Sequence, residues 1–195
     1  MDKLGLKIII GLGNPQPQYD LTPHNIGKSF VQWFFDESIK NGDIKAYKSW
    51  TLKNNLKAKV AEIQAYGTKI VVGIPIVYMN ENGMAVAKLL NYYKVKPNDL
   101  MIIHDDTDLL IGNHKICYNH SSAGHKGVQS VIEQVKTQKF WRIKIGVRPP
   151  DKEDSVYSLK AGNFVLEKIS VQNQKKLIDT FPLIYQKLWH WIKEC

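Results

Sequence analysis

The run from Ile8 to Pro15, Ile-Ile-Ile-Gly-Leu-Gly-Asn-Pro, constrains this chain more than any other stretch. Three β-branched residues in succession read as a buried strand, and Gly11, Gly13 and Asn14-Pro15 end it in a turn whose backbone lies open to a ligand. About a dozen residues on, His24 and Asn25 precede an amphipathic helix. One segment, Lys7 to Gly27, thus offers an amide at a strand tip, and an imidazole with a second amide at a helix entrance. It is not a dinucleotide-binding loop, because the third glycine is missing and Asn14-Pro15 and Pro17 oppose a helix starting there.

With 195 residues, of which 44% are hydrophobic and 23% charged, the chain suits one domain with a proper core. Lys and Arg outnumber Asp and Glu by 27 to 18, a net charge of +9 that favours a polyanionic partner, nucleic acid ahead of an acidic membrane surface. Only Cys117 and Cys195 are present, too far apart for a metal motif and too few for a disulfide framework. No stretch is long and apolar enough for a signal or membrane-spanning segment, so the expectation is a soluble cytoplasmic protein.

Along the chain, Ser29 to Ile39 places Phe30, Trp33 and Phe34 on one helical face, closed by Asn41-Gly42. Lys45 to Asn55 is polar and lysine-bearing. Ala58 to Ile63 and Lys69 to Ile74 read as antiparallel strands turning at Tyr66-Gly67. After Pro75, Ala85, Leu89, Tyr92 and Tyr93 mark a helix. Leu100 to Ile103 reads as a short buried strand ending in His104-Asp105-Asp106-Thr107-Asp108, and Gly112 to Tyr118 as another. A polar loop, Asn119 to Gly127, enters a helix at Val128 to Val135. Phe140 to Gly146 alternates as a strand, with Arg142 and Lys144 on one face and Trp141, Ile143 and Ile145 on the other. The loop Asp151 to Ser155 and the patch Ala161 to Leu166 precede a long helix, Val171 to Ile192, which Pro182 is expected to kink or split. The predicted fold is α/β: a single domain, 1–195, of three layers, with a mixed, mostly parallel twisted sheet flanked by helices.

Several polar groups admit more than one use. Asn80 is either a helix cap or a ligand-facing amide. Asp105, Asp106 and Asp108 suit a divalent metal, a solvated turn, or the orientation of an imidazole, for which His24 is the candidate. The loop at His125 and Lys126 offers a helix N-terminus to an anion.

The order of these blocks resembles the bacterial-type peptidyl-tRNA hydrolase family over nearly the whole chain. The matching blocks are GLGNP at 11–15, Tyr19, TPHNIG at 22–27, PIVYMNENG at 75–83, HDDTDL at 104–109, AGHKG at 123–127 and RIKIGVRP at 142–149. The resemblance implies an enzyme that cleaves the ester between a peptide and the 3′-ribose of tRNA, with no metal or cofactor, acting as a monomer. By position it implies His24 as catalytic base and Asp105 as its orienting partner. Asn14 and Asn80 become substrate-positioning amides, Tyr19 and Met79 supporting walls, and Lys126 a further substrate contact. The chemistry is consistent, since an ester with a ribose leaving group yields to water activated by one neutral histidine. Lys115, Arg142 and Lys144 would grip tRNA phosphates and make affinity salt-sensitive.

The chain departs from the family pattern at Gln16 (glycine is usual), Pro23 (arginine), Asn82 (serine), Cys117 (often basic, linked to the tRNA 5′-phosphate) and Lys126 (asparagine). The last is the most consequential, because a cation disfavours an imidazolium beside it. Two alternatives follow: a hydrolase-like RNA-binding protein that has lost turnover, and a metal-dependent phosphoesterase built on the three aspartates.

Overall fold

The computed structural model describes residues 5–150 and 165–194. The triple-isoleucine run forms the buried end of β1 (Gly5–Gly11), which sits at the middle of a seven-stranded sheet ordered β2-β3-β4-β1-β5-β7-β6. The other strands are β2 (Ala46–Lys53), β3 (Ala58–Ala65), β4 (Thr68–Pro75), β5 (Leu100–Leu110), β6 (His114–Tyr118) and β7 (Trp141–Arg148). β1 runs parallel to both β4 and β5, and β5 parallel to β7. The remaining pairings, β2 with β3, β3 with β4 and β6 with β7, are antiparallel. The four central strands are therefore parallel, and both edges are antiparallel.

Strand alternation sends Ile9, Met101, Ile103, Ile143 and Ile145 to one face, under α1 (Ile26–Lys40) and α4 (Val171–Lys193). Ile8, Ile10, Leu100 and Ile102 point the other way, under α2 (Asn82–Tyr93) and α3 (Lys126–Val135). A strand covered on both faces reads as a continuous apolar run, which is why the isoleucines announce it. Phe30 and Phe34 of α1 are fully buried, and Phe30 meets Phe181 of α4 edge to face at 5.1 Å.

Where β1 ends, α1 begins in direct backbone contact with the sheet. A Cβ on Gly27 would stand 2.2 Å from the Ile103 carbonyl oxygen, so only glycine lets the helix entrance lie against β5. Leu12 N–H donates to the Ile103 carbonyl at 3.0 Å, and Lys28 N–H donates to that of Leu12 at 3.0 Å. This approach delivers the His24 segment, a 3₁₀ turn at Pro23–Asn25, to the end of β5.

The expected hairpin at Tyr66-Gly67 is present, with both residues at positive φ (49° and 70°), as a two-residue turn requires. Three other expectations change. The polar stretch after Lys45 is β2, a mostly exposed edge strand whose Tyr47 and Trp50 both pack on Phe35 across a register shift that breaks the alternation. β5 does not stop at Ile103 but continues through the acidic residues to Leu110, paired with β7 across a register shift after Asp106. α4 runs unbroken through Pro182. The carbonyl that Pro182 leaves without an intrahelical donor belongs to Ile178, a residue that is 54% exposed. The loop at 151–155, most of the patch 161–166, and Cys195 lie outside the described residues.

Candidate active site

Asn14, at the strand tip, is held on three sides. Its backbone N–H donates to Asn25 Oδ1 at 2.7 Å, and its carbonyl accepts from Asn25 Nδ2 at 3.2 Å. Its own Oδ1 accepts from the Met79 N–H at 2.9 Å. With the oxygen committed there, the amide nitrogen has no partner among the described residues, and Asn14 lines a cleft. Asn82 ties the two turns together: its Oδ1 accepts from Gly13 N–H at 3.1 Å, and its Nδ2 reaches the carbonyls of Gly13 (3.1 Å), Val77 (3.2 Å) and Tyr78 (2.8 Å).

In the same cleft, three imidazoles surround Asp105, a carboxylate of β5 that is only 2% exposed. His24 Nδ1 lies 2.9 and 3.0 Å from its two oxygens. His125 Nε2 lies 2.8 Å from Oδ1. The tautomer of His125 follows from its other nitrogen: Nδ1 accepts from the N–H groups of Gly127 and Val128, at 3.1 and 3.2 Å, capping α3. An accepting ring nitrogen carries no proton, so Nε2–H donates to Asp105. His24 likewise donates from Nδ1, which leaves its Nε2 with a free lone pair at the cleft. His104 Nδ1–H donates to the Asp105 carbonyl at 2.6 Å, and the ring meets that of His125 edge to face at 4.7 Å.

Burial opposes ionisation of Asp105, but the His125 and His24 imidazoles overcome it and hold the carboxyl well below its usual range. Burial, reinforced by His125, pushes His104 well below its ordinary value, so its ring is neutral. His24 is further fixed through its backbone, whose N–H donates to the Val165 carbonyl at 3.2 Å.

The cleft encloses about 580 Å³ and is lined by Asn14, Tyr19, His24, Met79, Asn80, Asp105, Lys126 and Lys144, with Tyr78, His125, Val165 and Leu166 among the others. Eight of the ten residues singled out from the sequence thus meet at one place. Asn80 caps no helix: the residue preceding α2 is Glu81, and the Asn80 amide is exposed, without a partner among the described residues.

Lys115 and Arg142 do not line the cleft. Lys115 stands exposed on the edge strand β6, directly opposite Lys144. Arg142 shares a sheet face with Lys144, as its alternation predicts, but that face is covered rather than open. The guanidinium is fully buried, and its Nη2 donates to the Ser121 carbonyl at 3.0 Å. The expectation of an exposed grip at Arg142 is therefore corrected to an internal brace for the Asn119 to His125 loop. Lys144 is bound to Asp106, Nζ to Oδ2 at 2.7 Å.

That pair also weakens a metal site at the three aspartates, because Asp106 is already bonded to Lys144 and accepts from Asp108 N–H at 2.8 Å. Among the described residues, His24, Asp105 and His125 form the one group with metal-ligand spacing, their ligand atoms within 4.8 Å. A cation there would have to displace both imidazole protons from the carboxylate.

Asn25, Asn82 and His125 are visible in the sequence but without the roles they hold here, and His104 is not singled out as a site residue. Three of the four flank recognised positions: Asn25 follows His24, His104 precedes Asp105, and His125 precedes Lys126.

Comparison with known proteins gives one consistent picture. The sequence model of the peptidyl-tRNA hydrolase family matches residues 8–195. The peptidyl-tRNA hydrolase of Ligilactobacillus salivarius is 34% identical over 188 residues, covering 96% of this chain and 94% of that protein. That of Aquifex aeolicus is 36% identical, covering 90% and 88%. Among solved structures, a peptidyl-tRNA hydrolase from Acinetobacter baumannii superposes with a TM-score of 0.80 at 22% identity, covering 96% of this chain and 88% of that one, and so shares the fold.

Proposed function

This chain belongs to the peptidyl-tRNA hydrolase family, and from that membership we propose that it cleaves the peptide-ribose ester of peptidyl-tRNA with a water molecule activated by His24. One observation carries the assignment. The buried Asp105 carboxylate accepts the hydrogen bond from His24 Nδ1–H and leaves Nε2 unpartnered at the cleft.

The steps follow from that geometry. A water donates its proton to His24 Nε2 as its oxygen attacks the ester carbonyl, and the imidazolium formed is stabilised by the Asp105 carboxylate. Negative charge gathers on the carbonyl oxygen. In this reading the amide groups of Asn14 and Asn80, which line the same cleft, donate to it, a contribution typically worth about 3 kcal/mol per donor. Collapse of the tetrahedral species breaks the bond to the 3′-oxygen of ribose, which takes the proton from His24. Tyr19 and Met79 form the walls, and Lys126, exposed at the rim, meets the substrate. Of the three cations named from the sequence, Lys115 is the exposed one that meets tRNA phosphates, while Lys144 does so from its pair with Asp106, and a monomer acting in the cytoplasm without metal suffices for this chemistry.

The test is peptide release from purified peptidyl-tRNA by the wild type and by His24→Ala, with and without chelator. Loss of the base should lower the rate by about 10²- to 10⁴-fold, and chelator should change nothing. Binding without cleavage by the wild type would overturn the enzyme assignment in favour of an RNA-binding protein. Chelator-sensitive cleavage would overturn the metal-free mechanism.

A further inference from the structure

Asn82 is the most heavily bonded side chain near the cleft, and it touches none of it. It opens α2, is fully buried, and closes both ends of the Gly13 peptide while gathering the carbonyls of Val77 and Tyr78. The Gly13 peptide carries Asn14, and the Val77–Tyr78 stretch carries Met79 and Asn80. Asn14 and Met79, one on each turn, lie 65 residues apart in the chain. Besides those of Asn82, the buried bond joining them runs from Met79 N–H to Asn14 Oδ1, and that bond decides which way the Asn14 amide points.

We infer that Asn82 is a positioning residue for the hydrolysis, acting through Asn14: it fixes the spacing of the two turns so that Met79 holds the Asn14 oxygen and the Asn14 N–H₂ faces the scissile ester. An amide is suited to the task because it presents an acceptor to Gly13 N–H and donors to carbonyls on the far turn at once. A hydroxyl has a single donor and less reach, and so cannot hold carbonyls on both turns. The inference rests on Asn14 being a substrate-contacting amide.

The experiment is a double-mutant cycle. Asn82→Ala and Asn82→Ser are made in the wild type and in Asn14→Ala, with kcat, KM and thermal midpoint measured for each. A displacement of the two turns by about an ångström should lower kcat by up to about 10²-fold. Asn82→Ser should fall between wild type and Asn82→Ala, and it supplies the measurement if the alanine variant melts below assay temperature. KM should stay within about threefold, since the interaction removed is made in the transition state and not in uniform binding. In Asn14→Ala, either Asn82 substitution should cost no more than about a further twofold, because the group it positions is gone. Losses that multiply across the two sites would overturn the inference while leaving the Asn14 assignment intact. An Asn14→Ala chain with wild-type kcat would overturn the Asn14 assignment itself.

Discussion

Replacing Asp105 with Asn tests the tautomer logic of the site more sharply than deleting any side chain. The substitution is isosteric, so the outcome depends on which way the new amide faces. His125 decides that. Its Nδ1 is bound by two backbone N–H groups of α3, so its Nε2 is an obligatory donor, 2.8 Å from the Oδ1 position. The oxygen of the new amide must therefore face His125, which puts its N–H₂ at the Oδ2 position, 2.9 Å from His24 Nδ1. There it donates, and His24 Nδ1, although also 3.0 Å from the Oδ1 position, is turned from donor to acceptor by this nearer group, so the imidazole proton moves to Nε2. The lone pair that takes the water proton is gone, as fully as if the ring were removed, so the rate should fall by about 10²- to 10⁴-fold. Single-turnover peptide release measures the loss, and ¹⁵N spectra of the His24 ring report the tautomer. A second substitution, His125→Asn, keeps a capping side chain for α3 but cannot hold the oxygen of the amide introduced by Asp105→Asn. That amide is then free to rotate, and the double variant should release peptide faster than Asp105→Asn alone. A double variant as slow as the single one, or an Asp105→Asn chain whose His24 keeps its proton on Nδ1, would refute the reasoning.

Two further outcomes follow from burial. His104 stays neutral in the folded protein, held down chiefly by desolvation, whereas in the unfolded chain it takes a proton below its ordinary value of 6.5. The unfolded state then binds more protons, so stability should fall as pH drops below that point, by up to about 1.4 kcal/mol per pH unit. Urea midpoints followed from about pH 7.5 to about pH 5.5 should show a shallower slope in His104→Asn, and an unchanged slope would contradict the assignment. Lys115 and Arg142, the two cations named from the sequence that lie outside the cleft, should separate cleanly. Lys115→Ala, on an exposed edge, should reduce the salt dependence of tRNA binding by about 0.9 in log-log slope, the value of one neutralised phosphate. Arg142→Ala should leave that slope alone and lower stability by about 2 kcal/mol or more through the cavity it opens.

What the sequence discloses, and what it withholds, divides along the range of the contacts involved. Ile8 to Asn14, His24 and Asp105 are legible because strand ends and helix entrances write themselves in neighbouring residues, and because their order along the chain matches a family. The alternation of Arg142 and Lys144 against Trp141, Ile143 and Ile145 is legible for the same local reason. What covers Arg142 is not, since its brace is a carbonyl 21 residues away. The end of β5 escapes a local reading because an acidic run resembles a turn wherever its partners are unknown. Once Asp106 has Lys144, 38 residues away, and Asp105 has two imidazoles, the same residues are comfortable in a strand. Asn82 shows the limit most clearly. Beside the family's usual serine it reads as a small polar exchange at a helix start. Its effect depends on a peptide 69 residues earlier, where the difference between a hydroxyl and an amide is the difference between holding one turn and holding two.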